Sequence, residues 1–152
     1  MTKLLAPDEI EDKICEIILT KNIPVKHFLN HYVTFSYPRG DGTPNVEVDE
    51  KGYHYVLSER GSEFERRTTL DIHELYYWVF QDITFEIASD FAVKNPSTWE
   101  QRRVRFKNQL EWLRCIDSDF TKRYLKEITE ILERAPFDDG LPNNMDWESW
   151  EG

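Results

Sequence analysis

Apolar positions recur at helical spacing near both ends of this chain and alternate in the middle, and the two periods divide it into predicted elements. Pro7-Asp8-Glu9 is a helix start, because proline is tolerated in the first turn and acids suit the positive end of the helix dipole. Ile10, Ile14, Ile17 and Ile18 form its apolar stripe, and Asn22 and Pro24 end it. Short aromatic or β-branched runs follow at 32–37, 46–49, 53–59 and 63–68. Turn-forming residues separate them at Pro38 to Gly42, Glu50-Lys51-Gly52 and Arg60-Gly61-Ser62, which predicts an antiparallel meander of three or four strands. Tyr53, Tyr55 and Leu57 alternate with His54, Val56 and Ser58, so one face of that sheet can pack on helices.

Residues 70–91 then read as one long helix, opened by a capping pair of Thr68 with Asp71. Ile72, Tyr76, Val79, Phe80, Ile83, Ile87 and Phe91 share an arc that must face a core. The opposite arc holds Asp71, Glu74, Asp82, Glu86 and Ser89, with Trp78 and Phe85 among the acids. Asp82, Glu86 and Asp90 are each four apart, a spacing at which like charges cost an isolated helix roughly 0.2 to 0.5 kcal/mol per pair, so a basic partner is expected. Asn95-Pro96-Ser97 ends this helix and starts another, whose stripe of Trp99, Phe106, Leu110 and Leu113 is interrupted by Arg103. Asp117 or Ser118 caps a last helix with Phe120, Tyr124, Ile128, Ile131 and Leu132 on one face, closed by Pro136. The expected fold is α+β: an N-terminal helix, the meander, and three helices packed on the sheet and on each other. Residues 1–139 would form a single domain, and 140–152 a loosely ordered tail containing two tryptophans.

Charge narrows the functions this fold could serve. A net charge of -10 and a pI near 4.9 argue against nucleic acid and anionic membrane as partners, since both need clustered Lys and Arg. Asp138, Asp139, Asp146, Glu148 and Glu151 supply half of that charge from a C-terminal stretch without Lys or Arg, which suits steering toward a basic protein. No signal-peptide pattern or membrane-length apolar run is present, so a cytoplasmic location is expected. Cys15 and Cys115 fit reduced, partly buried thiols better than a disulfide framework.

No catalytic, cofactor or metal site emerges from the residue patterns. His27 and His31 have a zinc-like spacing, yet no acid follows His27 as in a metalloprotease, and the segment runs into a strand. There is no nucleophile elbow, and the glycines at 40, 42, 52 and 61 fall between strands, where none opens a phosphate-binding helix. Asp82 with Glu86 could form a carboxylate site for a small metal- or carboxylate-dependent hydrolase, but neither later helix supplies the histidine such sites use. Two other readings of the acids remain. Arg102, Arg103 and Arg105 could pair with them, Arg103 best of all, or Trp78 and Phe85 could centre a charged-rim interface. Trp147 and Trp150 pose the same choice between docking on their own domain, meeting a partner and self-association in a structural protein.

Gly52-Tyr53-His54-Tyr55-Val56, Glu59-Arg60-Gly61, Arg66, Thr69, Glu74-Leu75, Tyr77-Trp78-Val79-Phe80 and Asp82-Ile83-Thr84-Phe85 together resemble the central block of the immunity protein 63 family. Arg103, Phe106, Gln109 and Leu110, and then Pro136-Phe137-Asp138-Asp139, resemble its C-terminal part, so the resemblance spans about residues 32 to 139. Ala135 departs from it, standing where many members carry histidine, and the segment after Asp139 extends beyond it. The resemblance implies a cytoplasmic antitoxin of a bacterial polymorphic toxin system, which binds a cognate toxin domain and has no catalysis of its own. Charge then suggests a basic toxin, of the kind a nuclease would be, met by Asp71, Glu74, Trp78, Asp82, Glu86, Asp138, Asp139, Trp147 and Trp150.

Overall fold

A computed structural model describes residues 3–143 and 146–150; residues 1 and 2, and residues 144, 145, Glu151 and 152 of the expected tail, lie outside the described residues. Helix α1 is Pro7–Thr20, the strands are β1 Thr34–Phe35, β2 Asn45–Asp49, β3 Gly52–Glu59 and β4 Ser62–Thr69, and the later helices are α2 Ile72–Lys94, α3 Gln101–Ile116 and α4 Ser118–Arg134. One-turn 3-10 helices occupy Leu29–His31 and Trp147–Ser149. This is the expected α+β order. The chain divides into two compact units, Met1–Ile83 and Thr84–Gly152, and α2 contributes residues to both.

In the first unit, α1 buries Ile10, Ile14 and Ile18 at the predicted i, i+4 spacing and stops where Asn22 adopts a left-handed φ of 51°. The sheet has the order β1-β2-β3-β4. β2, β3 and β4 are antiparallel, but β1 runs parallel to β2, pairing Thr34 with Asn45 and Phe35 with Val46, so the sheet is mixed where a pure meander was expected. The cause lies in the connection. Ser36 takes a φ of 80° and Gly40 and Gly42 are also left-handed, which doubles the chain back so that Asp41 already bridges Glu59 and Gly42 N–H donates to the Ser58 carbonyl before β2 begins.

Both hairpins have two-residue loops. Arg60 and Gly61 both carry positive φ, as the tight turn that matches strand twist requires. Gly52 follows the Glu50-Lys51 loop at a φ of 134°, and a Cβ there would sit 2.6 Å from the Thr69 carbonyl oxygen, so only glycine lets β3 approach the end of β4. The register shifts once, between Leu57 and Ser58, leaving Phe64 as the extra residue of a bulge on β4. Charged side chains and that bulge protect the β4 edge from further strand pairing.

The start of α2 differs in detail from the sequence expectation. Thr68 lies within β4, and the cap is Asp71, whose carboxylate accepts from His73 N–H at 3.0 Å while its own N–H donates to Thr69 Oγ1. The buried arc is also wider than a single helical stripe. Leu75, Tyr77, Val79, Phe80, Ile83, Thr84 and Ala88 are essentially inaccessible, whereas Tyr76 and Ile87 are half-buried and Phe91 is exposed. A full turn, Tyr77 to Phe80, is out of water, which is the behaviour of a helix enclosed on more than one side.

In the second unit, α3 begins at Gln101, later than Pro96-Ser97 suggested, because Ser97 Oγ first accepts from Trp99 N–H in a local turn. α3 and α4 pack through Phe106, Leu110 and Leu113 and through Phe120, Tyr124, Ile128 and Leu132, with Asp117 capping α4 through Asp119 N–H. Gln109 Nε2 donates to Thr84 Oγ1 at 3.3 Å between two fully buried side chains. The C-terminal stretch is built into this unit, with Trp147 and Trp150 each 5% exposed.

Candidate partner-binding surface

The predicted site residues fall into different environments. On α2 of the first unit, Trp78 is buried and packs at 6.2 Å from the Tyr55 ring, and the Arg67 guanidinium lies 5.0 Å from the centre of each ring. The sheet register places this cation, since Arg67 on β4 stands directly across from Tyr55 on β3. The Tyr55 hydroxyl donates to Asp82 Oδ2 at 2.6 Å, and Arg67 also lies 3.5 Å from Glu65. Partial burial raises the Asp82 carboxyl above the ordinary carboxylate value, against the opposing pull of the Tyr55 hydrogen bond and Arg67, although the residue as a whole keeps an exposed flank. Burial and the neighbouring Asp82 charge push the Tyr55 phenol well up, so it stays a donor. Trp78 is therefore a packed ring under a cation.

Asp71 caps α2, Glu74 is half-buried, and Glu86 is exposed. Asp90 forms an i, i+4 ion pair with Lys94.

Arg103, the best candidate of the reading that pairs the ladder internally, binds Asp139 instead. It is 2% exposed, and its Nε and Nη2 donate to the two oxygens of Asp139 at 2.9 and 3.0 Å, with Nη1 donating to the Pro142 carbonyl at 3.2 Å. Its guanidinium also lies 4.0 Å from the Phe137 ring and 5.2 Å from that of Trp150. Asp139 Oδ2 accepts from Glu100 N–H as well, so one carboxylate neutralises the buried cation and caps α3. Those hydrogen bonds hold the Asp139 carboxyl well below the usual range. Arg102 reinforces the same junction by donating to the Ala135 and Pro136 carbonyls, and Arg114 pairs with Glu148 beside Trp147. Of the predicted C-terminal candidates, Asp139, Trp147 and Trp150 thus hold their own unit together, and Asp138 is exposed.

One cluster was missed in the sequence. His54, 3% exposed, is 2.7 Å through Nε2 from Asp49 and 2.8 Å through Nδ1 from Thr68, and its hydrogen bond is the first cause of the lowered Asp49 carboxyl. The signal was the five-residue step from Asp49 to His54 across a predicted two-residue turn, which puts them near each other on one hairpin. Thr68 sits in the β3–β4 ladder directly across from His54, not on a strained turn where backbone N–H groups converge, so the arrangement locks β2, β3 and β4 in register. His27 and His31 stack ring on ring at 4.0 Å outside any α-helix. Among the described residues, no helix is long and apolar enough to cross a membrane.

The profile of the immunity protein 63 family matches residues 49–130. The chain belongs to this family. No curated protein and no solved structure matches it. The matched block of the immunity protein runs from the last residue of β2 through most of α4. It contains the Asp49-His54-Thr68 lock, the Arg67 stack and Arg103, while Asp139 and the two C-terminal tryptophans lie beyond it. Membership gives the chain an immunity role and implies a cognate toxin as its partner.

Proposed function

We propose that this protein neutralises its cognate toxin domain by direct stoichiometric contact, in the cytoplasm of the producing cell and without catalysis of its own. Family membership is the observation that carries the reading. The net charge of -10 supports a basic toxin, such as one acting on nucleic acid, because an acidic surface steers such a partner and occupies its cleft. Asp71, Asp82, Glu86 and Asp138 are the exposed carboxylates among the sequence candidates, and they fit the rim of such a contact better than the enclosed Trp78, Asp139, Trp147 and Trp150. Asp71 and Glu74 would act from the start of α2.

The test is co-expression with the toxin domain encoded beside this gene. Growth rescue and a complex of fixed stoichiometry by mass measurement are expected, and continued toxicity beside folded protein refutes the proposal. Charge reversal at Glu74, Asp82 and Glu86 should slow association, more at low salt than at high salt. Thermal unfolding of the same variant separates a lost contact from a lost fold.

A further inference from the structure

We propose that a groove beside Trp99, formed by the end of α2 and the first three turns of α3, receives an arginine side chain of the toxin. The inference rests on the toxin-binding reading above and names a place and a chemistry for it. Phe91, Trp99 and Val104 make the apolar part of a pocket of about 200 Å³. A second pocket of about 280 Å³ shares Trp99 and Val104 and continues toward Val93, which is 68% exposed. Exposed apolar surface of this kind, rimmed by polar groups, marks a contact site.

Two polar groups in the first pocket select the occupant. Asn108 lines this pocket, and its amide oxygen, buried and without a hydrogen-bond partner among the described residues, gains a donor by turning toward an occupant. Glu111 is exposed and makes no ion pair among the described residues. Val104, Asn108 and Glu111 are four and then three residues apart on α3, so they share one helix face. The pocket's own cation does not meet these needs: Lys107 donates to the Trp150 carbonyl and stands 5.8 Å from the centre of the Trp99 ring.

A guanidinium satisfies all of these features at once. Its plane stacks on an indole, its forked N–H groups can reach an amide oxygen and a carboxylate together, and its methylene stem covers apolar surface. A lysine offers the charge without the fork or the stacking plane, and an aliphatic side chain leaves Asn108 and Glu111 unanswered. The negative balance of the whole chain favours a basic partner in the same sense.

The experiment measures affinity by calorimetry for a catalytically inactivated toxin domain from the neighbouring gene, using the full chain and its Trp99→Ala, Asn108→Ala and Glu111→Arg variants. Glu133→Arg, an exposed acid on α4, is the charge control. Glu111→Arg and Trp99→Ala should each weaken binding at least about tenfold, Asn108→Ala by less, and Glu133→Arg should change it little. Glu111 is on the surface, so its variant reads binding even if Trp99→Ala lowers stability. Tight wild-type binding that Glu111→Arg leaves intact overturns the groove and spares the immunity reading. Absence of wild-type binding overturns both. If Glu111→Arg instead dissolves a dimer of this chain at unchanged toxin affinity, the groove serves self-association and the proposal falls.

Discussion

Each unit of the molecule stacks an arginine on two aromatic rings beside a carboxylate, and the two constructions behave in opposite ways. Arg103 lies against Phe137 and Trp150, and its ion pair with Asp139 leaves the side chains only 2% and 3% exposed. Arg67 lies against Tyr55 and Trp78, but its ion pair with Glu65 is longer and open, with the side chains 35% and 50% exposed. A sealed charge must have every hydrogen bond met, and Asp139 meets Arg103 with both oxygens. An open charge can leave bonds to the solvent or to a partner. The carboxyls record the contrast, because Arg103 lowers Asp139 whereas partial burial raises Asp82, which accepts a hydrogen bond from the Tyr55 phenol.

Breaking the sealed pair should have the largest effect. Asp139→Ala leaves an unpaired buried cation and an uncapped α3, and should cost about 3 to 5 kcal/mol in chemical denaturation. Replacing both partners by apolar residues, as in Arg103→Met with Asp139→Leu, should recover much of that loss. Equal damage from the single and double variants would mean that packing, not charge, governs the site. Trp150→Ala should follow at about 3 kcal/mol, since the ring is enclosed against Phe137 and Arg103. A melting temperature unchanged by Trp150→Ala would show that the C-terminal stretch adds nothing to the second unit.

Why the sequence reading found one of these sites and not the other follows from their separation along the chain. Helix order, the two hairpin turns and the faces of α1 and α4 are written in local period and turn chemistry, and the structure shows them there, except that Ile131 of the expected α4 face is 41% exposed. The parallel pairing of β1 depends on backbone angles at Ser36, which composition does not signal. Arg103 interrupting an apolar stripe correctly marked a buried cation. The acids of α2 are its nearest candidate partners along the chain, whereas Asp139 lies 36 residues further on, at the last position of the expected domain, where its charge reads as a toxin contact. The Arg67 stack was invisible for the same reason, since only the β3 and β4 register brings Arg67 opposite Tyr55. The acids of α2 were legible as a ladder, but their spacing alone does not tell which of them faces a toxin.

Acidification gives the two carboxyls opposite signs. Asp139 is lowered in the folded state, so its contribution is full above the unfolded value near about pH 4 and is lost as pH falls through the folded value. Asp139→Asn should therefore flatten the acid limb of a stability profile. Asp82 is raised, so its contribution is full below the unfolded value and is lost as pH rises through the folded one. Wild-type protein should show the Asp139 dependence more strongly, because that pair is the sealed one.

Within the open site, Tyr55→Phe removes the phenol's hydrogen bond to Asp82 and should cost about 1 kcal/mol. Asp82→Asn should change stability by no more than roughly 0.5 kcal/mol near neutral pH, because the amide can still accept from the phenol and no longer resists partial burial as a charge. If Asp82 belongs to the toxin contact, the same Asp82→Asn variant should slow association at low salt while its melting temperature stays put. A marked loss of stability with unchanged association would instead make the Arg67 cluster a second structural staple, and would erase the functional difference between the two arginines.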